Sequence, residues 1–110
     1  MANAILPLQA TFTQLQEHIE YPQAGVLSKV LLKAKTCEFT LFCLAAATEI
    51  SEHTSTRHAV VQGLEGKGVL TLEGQDISLT PGVLIVMPAN APHALRAEEN
   101  LAFLLTLSQP

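Results

Sequence analysis

Charge is sparse in this sequence, cysteine sparser, and long apolar runs are missing; each absence removes a class of protein. Only 15% of the 110 residues are charged, six basic against ten acidic, for a formal net charge of −4. Binding to nucleic acid or to an anionic membrane draws on a patch of clustered Lys and Arg. Here Lys29, Lys33 and Lys35 form the one cluster, and Arg57, Lys67 and Arg96 are scattered. Edge strands carry Lys to block unwanted pairing, so the cluster reads as a solvated edge, and neither nucleic acid nor membrane is an expected partner. The two cysteines, Cys37 and Cys43, are too few for a disulfide framework and are not spaced as Cys-x-x-Cys. They are expected as reduced thiols. The first residues carry no basic n-region or long apolar h-region, and no run of about eighteen apolar residues occurs; the expected location is cytoplasmic. There is no internal repeat, low-complexity tract or linker.

What is present is apolar. At 48% hydrophobic, the chain can bury enough surface to offset the entropy of ordering it, and its length is that of one domain. The expected organisation is an N-terminal arm over residues 1–24 and a barrel over 25–110. In the arm, Phe12, Leu15 and Ile19 fall at helical spacing and Thr13 and Gln16 form a capping pair, which predicts a short helix over 11–20. Tyr21-Pro22 and Gly25 end it.

Beyond Gly25 the helical period disappears. Short strands are predicted at 26–33, 39–45, 59–64, 68–72, 77–79, 83–87, 93–97 and 101–107. Turn signals separate them at Gly66, Gly74-Gln75, Pro81-Gly82, Asn90 and 98–100. Short strands at this spacing predict an all-β antiparallel sandwich or barrel. The run Ala45-Ala46-Ala47 is placed in the sheet on the strength of its β-branched and aromatic neighbours.

Two stretches hold three of the four histidines. In the first, residues 51–68, His53 and His58 precede an apolar run that ends in Glu65-Gly66. In the second, residues 82–93, a turn glycine leads five apolar residues, Pro88, a short loop and His93. Two strands that each deliver a histidine near one end can aim both at a common point.

These stretches resemble the paired motifs of the cupins. Gly82, Pro88 and His93 stand where the second cupin motif, Gly-x5-Pro-x-Gly-x2-His-x3-Asn, requires them, with Asn90 replacing the middle Gly and Ala97 the final Asn. In the first motif, counted back from Gly66, His53 occupies the first histidine position, Ser55 the second, and Ala59 the glutamate position. The resemblance spans about residues 25–107 and is nearest to small stand-alone bacterial cupins of unassigned function. It implies a jelly-roll barrel (a double-stranded β-helix), pairing into a homodimer, and the family's mononuclear Fe, Mn, Ni or Zn site, which uses three histidines and a carboxylate.

Two of those four ligands are absent here. His53 and His93 are candidate metal ligands, and His58 is the one candidate for a third. It lies one residue off the motif, so strand alternation points it away from the side that Ala59 faces, unless a bulge or the 54–57 loop re-aims it. Glu49 and Glu52 could supply a carboxylate, but both lie near a loop and read as solvated. Ser55, Ala59 and Met87 are the candidate pocket residues. No other catalytic set stands out: Ser55 lacks a paired acid, Cys43 lies mid-strand as a small core thiol, and Arg57 reads as a surface residue. The expected function is therefore a binding module whose cavity takes a small molecule, with a divalent metal weakly held or absent and no assignable catalysis. The alternative is a metal-dependent oxygenase, isomerase or lyase with His53, His58 and His93 as ligands.

Overall fold

Period-two alternation sets the layers. A computed structural model describes residues 4–109; positions 1–3 of the arm and Pro110 lie outside the described residues. Among the described residues, nine strands follow a single 3₁₀ turn at Leu15–His18: β1 (Val26–Lys33), β2 (Cys37–Leu44), β3 (Glu49–His53), β4 (His58–Glu65), β5 (Gly68–Leu72), β6 (Gln75–Leu79), β7 (Leu84–Met87), β8 (His93–Ala97) and β9 (Leu101–Ser108). They form a five-stranded sheet in the order β1-β2-β9-β4-β7 and a four-stranded sheet in the order β3-β8-β5-β6. Along β4, Ala59, Val61 and Gly63 are buried while His58 and Gln62 are exposed, as a half-buried strand requires. The inner faces meet in a core that takes Leu44, Val61, Ile85, Met87 and Phe103 from one sheet and Leu70, Leu79, Leu95 and Ala97 from the other. This is the all-β jelly-roll barrel expected from the sequence.

A second cluster lies on the outer face of the larger sheet. Leu31, Leu41, Cys43 and Ala102 are covered there by Leu15, Ile19 and Tyr21 of the arm. The arm also bonds to the β1 edge, with the Ile5 and Leu6 N–H groups donating to the carbonyls of Val30 (2.9 Å) and Leu31 (2.8 Å). Lys29 pairs with Glu20 at 3.0 Å, and the Tyr21 hydroxyl donates to Glu65 at 2.6 Å. Burial, then the hydrogen bond to Glu65 and that carboxylate's charge, holds the Tyr21 phenol well above the usual tyrosine range.

At one end of the sandwich the backbones close on one another. Gly66 sits at φ 81°, and a Cβ on it would collide with the Asn100 carbonyl oxygen; a Cβ on Gly63 would collide with the carbonyl oxygen of Thr80. Gly63 N–H donates to Val83 O at 2.9 Å, and its own carbonyl accepts from Gly82 N–H at 3.0 Å.

Three expectations are corrected. The helix over 11–20 is a single 3₁₀ turn, and Thr13 Oγ1 bonds to His18 Nε2 at 2.7 Å instead of forming a capping pair with Gln16. A short helix depends on burying its apolar face, and Phe12, at the start of that stripe, is 94% exposed. Ala45-Ala46-Ala47 is not strand but a turn: Ala47 takes φ 71° and its N–H donates to Ala97 O at 2.9 Å as the chain crosses between sheets. Residues 49–53, left outside the expected strands, form β3; four of its five residues are exposed, so no alternation announces it. Among the described residues, no helix is long and apolar enough to cross a membrane.

Candidate functional site

The site is built by β3 and β8. On β8, His93 and Leu95 are two apart and both face inward, where they line a cavity between the sheets. Opposite them, Ile50 pairs with Leu95 and His53 with His93, so three steps along β3 match two along β8. The register shift is a bulge at Ser51-Glu52. On a regular strand Ile50 and His53 would face opposite sides; the extra residue turns both inward, and both line the cavity. The two imidazoles meet edge to face, with centroids 4.2 Å apart and planes inclined at 63°.

Both rings are anchored in the same way. His53 Nδ1 lies 2.9 Å from Ser51 O, and His93 Nδ1 lies 2.9 Å from Ala91 O. A carbonyl oxygen can only accept, so each Nδ1 carries the proton and donates. In the neutral ring, Nε2 is then left as the acceptor. The His93 loop is tied across the mouth by Asn90, whose N–H donates to Ser55 O at 2.7 Å. Asn90, which stands at the motif's middle glycine, adopts φ 70°, a conformation that Asn tolerates better than most side chains.

Beneath the imidazoles lies a cavity of about 190 Å³. Its walls are Val61, Leu70, Met87, Leu95 and Leu105, together with Phe42 and Phe103, stacked at 5.2 Å with 8° between planes. The two phenylalanines are a cross-strand pair of β2 and β9, an arrangement in which aromatic side chains support one another.

Of the residues singled out in the sequence, His53, His93 and Met87 line this cavity. His58 is not among them. The β4 register runs unbroken from His58 to Gly63, its one irregularity falling between Gly63 and Glu65, so alternation leaves His58 exposed on the outer face. There its Nδ1 accepts the Ala89 N–H at 3.0 Å and fastens the Pro88–Asn90 segment. Ala59 is buried in the core but is not a wall residue, and the Ser55 hydroxyl accepts the Arg57 N–H at 3.1 Å. Glu49 and Glu52 are exposed, and Cys43 is fully buried in the outer cluster. Phe42, Ile50, Phe103 and Leu105 were not singled out as pocket residues. The strand pattern at 39–45 and 101–107 was the available signal, but β2 is buried on both faces, Phe42 and Leu44 inward and Leu41 and Cys43 outward; apolar alternation alone does not say which face holds the cavity.

The donor set does not suit the metal that the cupin pattern implies. Two neutral imidazoles stand at the mouth, Ser55 and Ala59 occupy the other two motif positions, and among the described residues no group of three or more His, Cys, Asp or Glu comes together. A transition ion held with an open position takes three protein ligands, and this site offers two.

Comparison with known proteins bears on the fold and the family. A family model for the cupin domain matches residues 40–107. A conserved protein of unknown function from Streptococcus pyogenes is similar at 31% identity over 98% of this chain and 96% of that one, with a TM-score of 0.83. A cupin superfamily protein from Desulfitobacterium hafniense DCB-2 shares 26% identity, over 96% of each chain, with a TM-score of 0.85. The likeness to a salicylate 1,2-dioxygenase from Pseudoaminobacter salicylatoxidans, at 22% identity over 76% of this chain and 26% of that one and a TM-score of 0.72, is one of fold alone. No curated protein matches. A cupin-domain match over most of the chain, two antiparallel sheets in jelly-roll order and a histidine pair delivered by the motif strands make this chain a member of the cupin family.

Proposed function

We propose that this cupin binds a small, largely apolar molecule between its sheets, seats the molecule's polar end on His53 and His93, and neither holds a resident metal nor turns its ligand over. The observation that carries this reading is the cavity of about 190 Å³ with apolar walls and two oriented imidazoles at its mouth. Ligand sites generally combine apolar walls with a few placed polar groups. Toluene, added to protein with labelled methyl groups, is expected to shift the Val61, Leu70, Leu95 and Leu105 signals and to saturate at one per chain; Val61→Phe, which fills the space, is expected to abolish the shifts. An unresponsive wild type would end the reading. Elemental analysis of untagged protein tests the alternative: a stoichiometric metal that disappears in the His53→Ala, His93→Ala double variant would replace binding with the metal-enzyme reading.

The proposed protein partner is a second copy of the chain. The arm covers one half of the larger sheet's outer face, while on the edge strand β7 Leu84 and Val86 stay 62% and 61% exposed. Adjacent apolar side chains on an open strand edge favour association. Sedimentation is expected to give a dimer for the wild type and a monomer for Val86→Lys; a monomeric wild type would overturn the pairing.

A further inference from the structure

We infer that the molecule this cavity takes is an uncharged, flat, single-ring compound carrying a hydroxyl or N–H donor on its edge, of which phenol is the simplest example. The inference rests on the binding reading above and narrows it to a chemical class. Size comes first. An apolar cavity of about 150 Å³ accommodates benzene, and the volume here is about 190 Å³, room for one ring and a small substituent.

Shape and polarity sharpen the choice. The Phe42–Phe103 stack presents an aromatic wall, and aromatic rings gain from offset or edge-to-face contact with another ring beyond the area they bury. The polar end is defined by the Ser51 and Ala91 carbonyls. Because they take the Nδ1 protons, His53 and His93 offer their Nε2 atoms as acceptors and bring no donor of their own while neutral. A ligand hydroxyl or N–H satisfies them, whereas an ether or ketone oxygen faces acceptors only.

Charge is excluded by what surrounds the space. Among the described residues, no Lys, Arg, Asp or Glu lines the cavity. Arg57 is not a wall residue, and Arg96 is exposed on the outer side of β8. A carboxylate or an ammonium inside would therefore lose its hydration without gaining a countercharge.

The test compares three probes of similar size at mildly alkaline pH, where an imidazole is neutral: phenol, toluene and benzoate, titrated against the full chain by calorimetry. Wild type is expected to bind phenol about tenfold or more tightly than toluene, since a site with placed hydrogen-bonding groups rejects an analogue that leaves them unpaired. Benzoate is expected to bind more weakly than phenol. His93→Phe keeps a ring and removes an acceptor, so it is expected to collapse the gap between phenol and toluene while toluene binding persists; His53→Phe, at the exposed mouth, makes the same test independently. Equal affinity for phenol and toluene would overturn the assigned class and leave the apolar cavity standing, whereas binding of neither would remove both. Tightest binding of benzoate, or a gap that survives both substitutions, would also overturn the inference.

Discussion

Where β4 ends, at Gly63 and Gly66, the backbone comes so close to Thr80 and Asn100 that no side chain fits between; nearer its start, at Val61, the same two sheets stand apart over a cavity of about 190 Å³. The closed end is held by main-chain hydrogen bonds such as Gly63 N–H to Val83 O, and its tolerance for added atoms is nil. The open end is held by side chains: Phe42 on Phe103, His53 beside His93, His58 under the Ala89 N–H. A jelly roll can thus close one end with main chain, where glycine is obligatory, and leave the other to side chains that can be exchanged. The histidine pair and the cavity lie at the end that side chains hold.

The largest expected effect tests the closed end. Gly66→Ala combines a side chain in the left-handed region with a collision against backbone, and is expected to lower stability by about 3 kcal/mol or more in urea denaturation. A loss below about 1 kcal/mol would mean that this end yields as readily as the other.

Adding one carbon at the open end should have the opposite sign. Val61→Ile places a methylene into the cavity and is expected to raise stability by about 0.8 kcal/mol, with weaker toluene binding. Packed cores instead lose stability when enlarged, so a loss here would show that the space is already filled.

The arm supplies a smaller effect. Tyr21→Phe removes the hydroxyl bond to Glu65, which is partly exposed to water, and is expected to cost about 0.5 kcal/mol. It should also change the alkaline limb. Because the Tyr21 phenol is held above its usual range, its contribution is fully present below the ordinary tyrosine pKa of about 10 and is lost as pH rises beyond it. Wild type is therefore expected to lose stability faster than Tyr21→Phe in that window, and parallel thermal-melting profiles would contradict the assignment.

The smallest change in stability is expected at the histidine pair. The His53→Ala, His93→Ala double variant is expected to change the unfolding free energy measured in urea by no more than about 0.5 kcal/mol, as surface substitutions do, because the His53 ring is exposed and the His93 ring half-buried at the mouth. A large loss would make the pair a structural clamp and erase the contrast between the ends.

Much of the fold was legible because its determinants are local. Alternation in β4, the Pro81-Gly82 turn and the apolar run before Pro88 each specify their own segment, and together they carry the all-β architecture and the cupin resemblance. What went unread depended on partners. β3 shows no pattern because four of its five residues face water; the arm helix shortened because Phe12 found nothing to pack against; and Phe42 lies on a strand buried on both faces.

The histidines divide along the same line. By itself the sequence determined that His53 and His93 sit at strand ends flanking a jelly roll, since motif spacing and strand period are properties of the chain. It determined equally that His58 alternates away from Ala59. Only the tertiary structure decided that His53 turns inward, because a bulge is defined by the strand opposite: Ile50 and His53 share a face only when paired against Leu95 and His93. The cavity beneath them, bounded by strands far apart in sequence, exists only once both sheets have closed.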